Sequence, residues 1–214
     1  MSDPGKLVTL EGIEGSGKTT QIEILADYLR LRGHDILATR EPGGTPVGDQ
    51  IRKVLLNPEY KDLVPLAELF LYEAARVQHV EGVIKPALKA GKIVLCDRFY
   101  DATTAYQGGA RKISMELVEN LNQLASNGLH PRLTLLIDCP VEVGLKRARE
   151  RYLAKEGTDQ GDRLEQEELE FHRRVRKGYL EIAKRDPGRF VVIDGTLDID
   201  ATHQAVLKEI QRIL

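Results

Sequence analysis

The sequence predicts an α/β protein with a five-stranded parallel sheet flanked by helices on both faces. Three observations predict it: five short apolar runs recur along the 214 residues, helical patterns fill the gaps between them, and a glycine-rich loop follows the first run. Continuously apolar strands that alternate with helices are typical of a parallel sheet buried on both faces. Ligands of such sheets bind beyond the carboxyl ends of the strands.

The predicted strands cover residues 7–10, 36–39, 93–96, 133–137 and 190–193. After the first strand and its loop, Ile22, Leu25 and Leu29 recur at helical spacing, and Gly33 is placed to end that helix. Further helices are predicted over residues 66–90, 141–155, 165–184 and 199–214. Because no repeat or linker divides the chain, we expect a single domain over residues 1–214.

Composition and charge exclude several classes of function. The net charge of −2 gives no basic field that would hold nucleic acid, and no apolar run is long enough to span a bilayer. The N-terminus lacks the basic-then-apolar pattern of a secretory signal, so we expect a cytoplasmic protein. Cys96 and Cys139 each end an apolar run and are expected to be buried free thiols.

Residues 12–19, Gly-Ile-Glu-Gly-Ser-Gly-Lys-Thr, match the phosphate-binding pattern G-x-x-x-x-G-K-[ST]. In that pattern, backbone N–H groups and the positive end of the following helix hold a nucleotide's phosphates. We expect an exposed Lys18 to reach the β- and γ-phosphates, and the Thr19 hydroxyl to ligate Mg²⁺. A glycine-rich turn that only caps a helix is the alternative. The predicted ATP-binding residues of this loop are Gly12, Ile13, Glu14, Gly15, Ser16, Gly17, Lys18, Thr19 and Thr20.

Charged and turn-forming residues follow every predicted strand, which favours a site at that edge of the sheet. Asp97 follows the third strand, and an acid beside a phosphate loop commonly holds Mg²⁺ directly or through water. Arg98 comes next, and its fixed fork of donors suits bidentate binding of phosphate. A structural Asp–Arg ion pair is the alternative.

Other candidates are ambiguous on their own. Arg76 lies in an apolar helical stretch, where a charge needs a partner or a ligand. Tyr72, one turn earlier, is either a core residue or a ring that stacks on a base. The remaining polar candidates, each readable alone as a surface or helix-start residue, are Glu41, Arg52, Thr103, Tyr106 and Gln107.

Three further segments make the chain recognisable. Residues 39–45 (Thr-Arg-Glu-Pro-Gly-Gly-Thr), 97–99 (Asp-Arg-Phe) and 105–108 (Ala-Tyr-Gln-Gly), in that order after the phosphate loop, closely resemble bacterial thymidylate kinases. The resemblance covers essentially the whole chain. It implies a P-loop fold of the nucleoside monophosphate kinase kind, a mobile lid and a homodimer. It also implies transfer of a phosphoryl group from Mg·ATP to dTMP, which gives dTDP and ADP.

The resemblance also implies roles for single residues. Tyr72 stands where the family places a Phe that stacks on thymine, and Arg76 would hydrogen-bond the thymine carbonyl edge. Arg98 would hold the acceptor phosphate, and Tyr106 would crowd the 2′ position of the sugar. The residues implied to bind dTMP are Glu14, Glu41, Arg52, Tyr72, Arg76, Arg98, Thr103, Tyr106 and Gln107.

A lid is expected over about residues 147–163, where basic residues flank the glycine-rich residues 157–161. The phosphate loop has no basic residue at its variable positions, so the transferring group needs positive charge from elsewhere. Arg163 is the first candidate for this charge and Arg151 the second, whereas Arg147 is expected to pack on adenine. The predicted catalytic residues are Lys18, Arg98, Arg151 and Arg163, and the predicted metal ligands are Thr19 and Asp97.

Two alternative functions remain open at this point. One is a kinase for another nucleoside monophosphate. The other is a nucleotide-dependent switch or binding module that uses the phosphate loop without transferring phosphate.

Overall fold

Five parallel strands form the sheet of the computed structural model, which describes residues 6–156 and 161–214. The strands lie in the order β2-β3-β1-β4-β5. Their bounds are β1 (Lys6–Glu11), β2 (Ile36–Arg40), β3 (Ile93–Asp97), β4 (Leu133–Asp138) and β5 (Phe190–Asp194). Each predicted strand is confirmed and continues one residue further at its carboxyl end.

Nine α-helices and two π-helical segments connect and flank the strands in the described ranges. The α-helices are α1 (Lys18–Arg30), α2 (Pro46–Leu56), α3 (Pro65–His79), α4 (Lys85–Lys89), α5 (Tyr100–Thr103), α6 (Met115–Ala125), α7 (Val141–Glu156), α8 (Leu169–Arg185) and α9 (Ile199–Ile210). The π-helical segments are π1 (Val80–Ile84) and π2 (Thr104–Ala110).

The helices differ from prediction in several places. The helix predicted over residues 66–90 is interrupted by π1, which joins α3 to α4. The helix predicted from residue 165 begins only at Leu169, because the Asp162 carboxylate accepts from the backbone N–H groups of Leu164 and Glu165 and holds them in a turn. The short helices α2, α5 and α6 were not predicted, although Thr45 caps α2 by accepting from the Gly48 N–H.

Apolar side chains cover both faces of the sheet, as the fold class requires. On one face Val8 and Leu10 pack with Leu25 of α1 and Val206 of α9. On the other face Leu7 packs with residues of π1 and β3. Cys96 and Cys139 are buried and free, which confirms that expectation. No helix in the described part of the chain has the length and apolarity that crossing a bilayer requires.

The order of the strands in the sheet brings the end of β3 next to the phosphate loop. Strand β3 lies beside β1 in register, with Leu10 opposite Asp97, so the residue that ends β3 lies next to the loop that follows β1. That loop needs glycine: Gly15 has φ +66°, and a Cβ there would lie 2.0 Å from the Gly144 carbonyl oxygen. The phosphate loop can therefore pass close to α7 only because this side chain is absent.

Candidate active site

A cleft of about 1370 Å³ lies at the carboxyl ends of the strands and gathers most of the predicted site residues. Those that line it are Glu14, Gly15, Ser16, Gly17, Lys18, Thr19, Thr20, Glu41, Arg52, Tyr72, Asp97, Arg98, Thr103, Tyr106, Gln107, Arg147 and Arg151. Four predicted residues lie outside its lining, namely Gly12, Ile13, Arg76 and Arg163. Residues from both halves of the chain thus meet in one cavity.

Lys18 begins α1 and is folded back onto the phosphate loop. Its Nζ donates to the Ile13 carbonyl oxygen at 2.7 Å and to Ser16 Oγ at 3.2 Å, and the residue is only 6% exposed. The expectation of an exposed lysine is therefore wrong, because oxygens of the loop itself satisfy its donors. Burial and the nearby charge of Arg98 lower the pKa of Lys18 to about 8.

Thr19 and Asp97 form a hydrogen-bonded pair on the cleft wall. Thr19 Oγ1 donates to Asp97 Oδ2 at 2.6 Å, which brings a hydroxyl and a carboxylate from two neighbouring segments to one point. Mg²⁺ in phosphate-binding sites is typically held by one or two protein oxygens together with the substrate's phosphates. The two side chains therefore fit a magnesium ion by their chemistry and by their place beside the phosphate loop.

Arg98 is held at the centre of the site in a left-handed backbone conformation, with φ +69°. Its Nη1 donates to the Gly12 carbonyl oxygen at 2.8 Å and to the Tyr179 hydroxyl at 3.0 Å, and its Nη2 donates to Glu14 Oε1 at 3.2 Å. A non-glycine residue in this region is uncommon and is often found at functional sites. The three hydrogen bonds fix the guanidinium between the phosphate loop and α8.

Glu14 lies inside the phosphate loop and is ionised. The Tyr106 hydroxyl donates to its Oε1, and His172 Nδ1 lies 3.3 Å from its Oε2. Burial by itself would raise the pKa of Glu14, but contacts with His172, Arg98 and Tyr106 outweigh it and hold the pKa well below its ordinary value. A fixed negative charge therefore stands beside Arg98.

Another part of the cleft wall combines an aromatic ring with amide and hydroxyl groups. Tyr72 lines the cleft from α3, and Thr103 and Gln107 line it from α5 and π2. Arg52 of α2 also lines it and donates from Nη1 to the Pro42 carbonyl oxygen at 3.1 Å. Such a wall can take a flat heterocycle by stacking and can read its polar edge by hydrogen bonds.

Arg76 lies behind this wall and not on it. It is 2% exposed, and Nε donates to Glu41 Oε2 and Nη1 to Glu73 Oε2, both at 2.8 Å. Nη1 also donates to Asn122 Oδ1 at 3.2 Å, and Nη2 donates to Thr103 Oγ1 at 2.9 Å. The expectation that Arg76 faces a ligand directly is not met in this structure, because a buried cation takes the nearest carboxylates as partners.

The two leading arginines of the expected lid differ in their surroundings. Arg163 is 7% exposed; its Nε donates to the Leu55 carbonyl oxygen at 2.8 Å and its Nη2 to Glu68 Oε2 at 2.6 Å. Arg151 lines the cleft, and its Nη2 donates to Glu165 Oε1 at 2.8 Å. Arg151 therefore lines the cavity, whereas Arg163 is buried and ties its segment to α2 and α3.

Arg147 lies at another part of the cleft wall, where its Nη1 donates to the Gly195 carbonyl oxygen at 2.7 Å after β5. Of the glycine-rich stretch expected in the lid, residues 157–160 lie outside the described residues, as does the side chain of Lys155. The described part of the expected lid therefore comprises residues 147–156, which belong to α7, and residues 161–163.

Several residues of the site were missed by the sequence reasoning. Tyr179 donates to Glu11 Oε2 at 2.8 Å and accepts from Arg98, so it joins two residues of the strand ends. Glu11 could have been found, since it directly follows the first apolar run. Tyr179 and His172 gave no such signal, because each lies among helical residues and meets its partner only through the fold.

One end of the cleft suits a triphosphate, and the other offers an arginine and an aromatic wall to a second phosphate and its base. This fold and site together define a P-loop phosphotransferase that works between two nucleotides. A model of the thymidylate kinase family matches residues 10–206. The chain belongs to the thymidylate kinase family, whose members phosphorylate dTMP with ATP.

Individual relatives agree with the family match. The thymidylate kinase of Geotalea uraniireducens is 52% identical over 202 residues, which are 94% of each chain. That of Syntrophotalea carbinolica is 57% identical over 193 residues, which are 89% of each chain. The crystal structure of thymidylate kinase from Ehrlichia chaffeensis superposes with a TM-score of 0.78 at 36% identity, covering 98% of this chain and 99% of that one.

Proposed function

We propose that the protein transfers the γ-phosphoryl group of ATP to dTMP in its cleft and forms dTDP and ADP. The observation that carries the proposal is the position of Arg98. Its guanidinium contacts both Gly12 and Glu14 of the phosphate loop and lies with its Cζ 5.0 Å from the centre of the Tyr106 ring. A phosphate bound at Arg98 would thus lie between the phosphate loop and the aromatic wall, where an in-line transfer needs it.

The phosphate loop binds ATP in this proposal. Its backbone N–H groups cradle the phosphates, Lys18 turns from its loop contacts to the β- and γ-phosphates, and Thr20 lines the same end of the cleft. Arg147, fixed by its hydrogen bond to the Gly195 carbonyl, packs against adenine. The hydrogen bonds that Lys18 makes to Ile13 and Ser16 are exchanged for stronger, charge-assisted ones.

Thr19 and Asp97 hold Mg²⁺ in this proposal, the threonine through its hydroxyl and the aspartate directly or through water. The ion supplies charge neutralisation to the phosphate oxygens. The existing contact between the two side chains keeps both oxygens at the same point of the cleft before the metal binds.

The acceptor dTMP lies against α3, α5 and π2. Tyr72 stacks on thymine, Thr103 and Gln107 contact its edge, and Tyr106 narrows the space beside the sugar, which favours deoxyribose. Glu14 is placed near the sugar hydroxyl, and Arg52 assists Arg98 at the phosphate. Arg76 and Glu41 act indirectly, since Arg76 holds the Thr103 hydroxyl from behind.

The chemistry needs positioning and charge more than a strong base. The acceptor phosphate is already largely dianionic at neutral pH, because the second pKa of a phosphate monoester is about 6. Lys18, Arg98 and Arg151 surround the transferring group and neutralise its charge. A lid over about residues 147–163 carries Arg151 and keeps water away, while Arg163 fixes the lid's far end to α2 and α3.

A cytoplasmic homodimer completes the proposal. The buried free thiols suit a reducing compartment. Helix α3 carries an outward stripe of apolar residues one or two turns apart, namely Leu66, Phe70 and Val77, which are 45%, 52% and 44% exposed. A second copy of the chain would bury this stripe. Light scattering should then give a monomer for Phe70→Glu and a dimer for the control Leu31→Glu, a substitution at a leucine that directly follows α1 and is 85% exposed.

Turnover measured by ADP release across dTMP, dUMP, UMP, AMP and GMP tests the substrate. We expect the highest kcat/KM with dTMP, and an Arg98→Gln variant should lose affinity for dTMP far more than for ATP. A purine nucleotide as the best acceptor would contradict the assigned pocket. Binding of ATP without dTMP-dependent ADP release would indicate a nucleotide switch instead of a kinase.

A further inference from the structure

Glu68 is a buried carboxylate that the proposed chemistry does not use. It lies on α3 with 0% exposure, although carboxylates are almost never fully buried unless they are paired. Burial would raise its pKa, but hydrogen bonds and charge from Arg111, with Gln107 and Arg163, outweigh burial and lower the pKa below its ordinary value. Glu68 is therefore an anion beside the acceptor wall, the part of the cleft that Tyr72, Thr103 and Gln107 line.

Three side chains donate to this anion from different parts of the chain. Gln107 Nε2 donates to Oε1 at 2.7 Å, and Arg163 Nη2 donates to Oε2 at 2.6 Å. Arg111 spans both oxygens, with Nε 3.2 Å from Oε1 and Nη2 3.1 Å from Oε2. One carboxylate thus contacts a residue of the acceptor wall and the anchor at the end of the expected lid.

The contact with Gln107 decides which way its amide points. A primary amide offers a donor at one end and an acceptor at the other, whereas an ionised carboxylate only accepts. Gln107 must therefore turn its nitrogen to Glu68, and because Gln107 lines the cleft, the acceptor it keeps for a ligand is its carbonyl oxygen. A carbonyl oxygen selects a base whose facing ring position is an N–H donor.

We infer that Glu68 is a positioning residue for base selection: by fixing the Gln107 amide, it makes the acceptor site accept thymine or uracil and reject cytosine. The N3 position of thymine and uracil carries a proton, whereas N3 of cytosine is a lone-pair acceptor that would face the Gln107 carbonyl. With cytosine bound, the Gln107 carbonyl oxygen and N3 would be two acceptors facing each other without a proton between them. Such an unpaired contact discriminates strongly against cytosine. The inference rests on the proposed function, in which Gln107 contacts the base.

The test compares kcat/KM for dTMP, dUMP and dCMP in the wild type and in Glu68→Gln. The introduced amide can donate to the Gln107 oxygen as well as accept from its nitrogen, so Gln107 is free to turn. We expect the dTMP-to-dCMP ratio to fall by about 10- to 100-fold, the equivalent of one unpaired polar group. The dTMP-to-dUMP ratio should stay within about twofold, because both bases carry the same N3 proton.

A merely structural role predicts a different result. Loss of packing or of charge balance would lower kcat/KM for dTMP and dCMP alike, and an unchanged ratio would overturn the inference. Glu73→Gln is the matched control, since Glu73 is a buried carboxylate of the same helix that accepts from Arg76 and not from Gln107. If Glu68→Gln does not fold, Glu68→Asp withdraws the oxygens while keeping the charge, and the same fall in the ratio is expected.

A double-mutant cycle separates this inference from the proposed function. In a Gln107→Met background, Glu68→Gln should no longer change the dTMP-to-dCMP ratio, and a change that persists there would overturn the role given to Glu68. A Gln107→Met variant that by itself leaves the ratio at the wild-type value would instead contradict the placement of the base at Gln107.

Discussion

Replacement of Arg76 by methionine should destabilise the protein strongly while keeping a similar volume in the core. The guanidinium is 2% exposed and pairs with Glu41 and Glu73, each at 2.8 Å. Glu41 keeps His79 as a neighbour at 3.0 Å, whereas Glu73 would lose its ion partner. Breaking one buried pair costs about 3–5 kcal/mol, which for a chain of this size lowers the melting midpoint by about 6–20 °C.

Equilibrium unfolding in urea, followed by circular dichroism, measures the loss directly. Arg40→Met is the control, because the Arg40 side chain is 58% exposed and lies 3.8 Å from Asp49. Such a surface pair is worth about 0–1 kcal/mol. If Arg76→Met lowers the free energy of unfolding by less than about 1 kcal/mol, as the control does, the buried ion pair does not stabilise the fold as argued. Direct contact of Arg76 with a ligand would then be the better explanation of its position.

The pH dependence of this variant has a definite sign. Burial already raises the pKa of Glu73 above its ordinary value, although Arg76 lowers it in part. Without Arg76 the folded-state pKa rises further, so the folded protein binds more protons than the unfolded chain above the ordinary carboxyl range. The stability of Arg76→Met should therefore fall as pH rises, and its deficit against the wild type should be smaller at pH 5 than at pH 8.

Three further outcomes are expected. Affinity for ATP, measured by calorimetry, should fall as pH rises through about 8, where free Lys18 loses its proton, and this fall should be absent in Lys18→Met. Arg151→Ala should lower kcat by about 10³-fold or more with little change in melting temperature. Arg163→Ala should instead lower the melting temperature, with a smaller effect on kcat than Arg151→Ala. The reverse pattern would contradict the roles assigned to the two arginines. Asp97→Asn should raise the Mg²⁺ concentration needed for half-maximal turnover, and an unchanged requirement would remove Asp97 from the metal site.

The sheet and the phosphate loop could be predicted because their signals are local. Each strand is a continuous apolar run, and each is confirmed by the structure. The loop's glycines are required where they stand, as the 2.0 Å approach at Gly15 illustrates. Asp97 could be placed beside the loop because the carboxyl ends of parallel strands share one edge of the sheet. The family could be recognised from short segments because those segments are also local in the sequence.

The partners of the buried charges could not be read from the sequence. Tyr179 meets Glu11 across 168 residues, and Arg163 meets Glu68 across 95 residues. The sequence does not distinguish an arginine that faces a ligand from one that forms a buried ion pair. Arg76 and Arg163 both form buried ion pairs in the structure.

The sequence by itself determined the fold class, the phosphate loop and the strand-end acid, since these follow from hydrophobic period and from backbone geometry at glycine. Only the tertiary structure decided which cations line the cleft, which carboxylates stay ionised and which way Gln107 turns. The physical reason is that a buried polar group takes its role from the donors and acceptors that folding brings within about 3 Å of it, and those neighbours are set by the packing of distant segments.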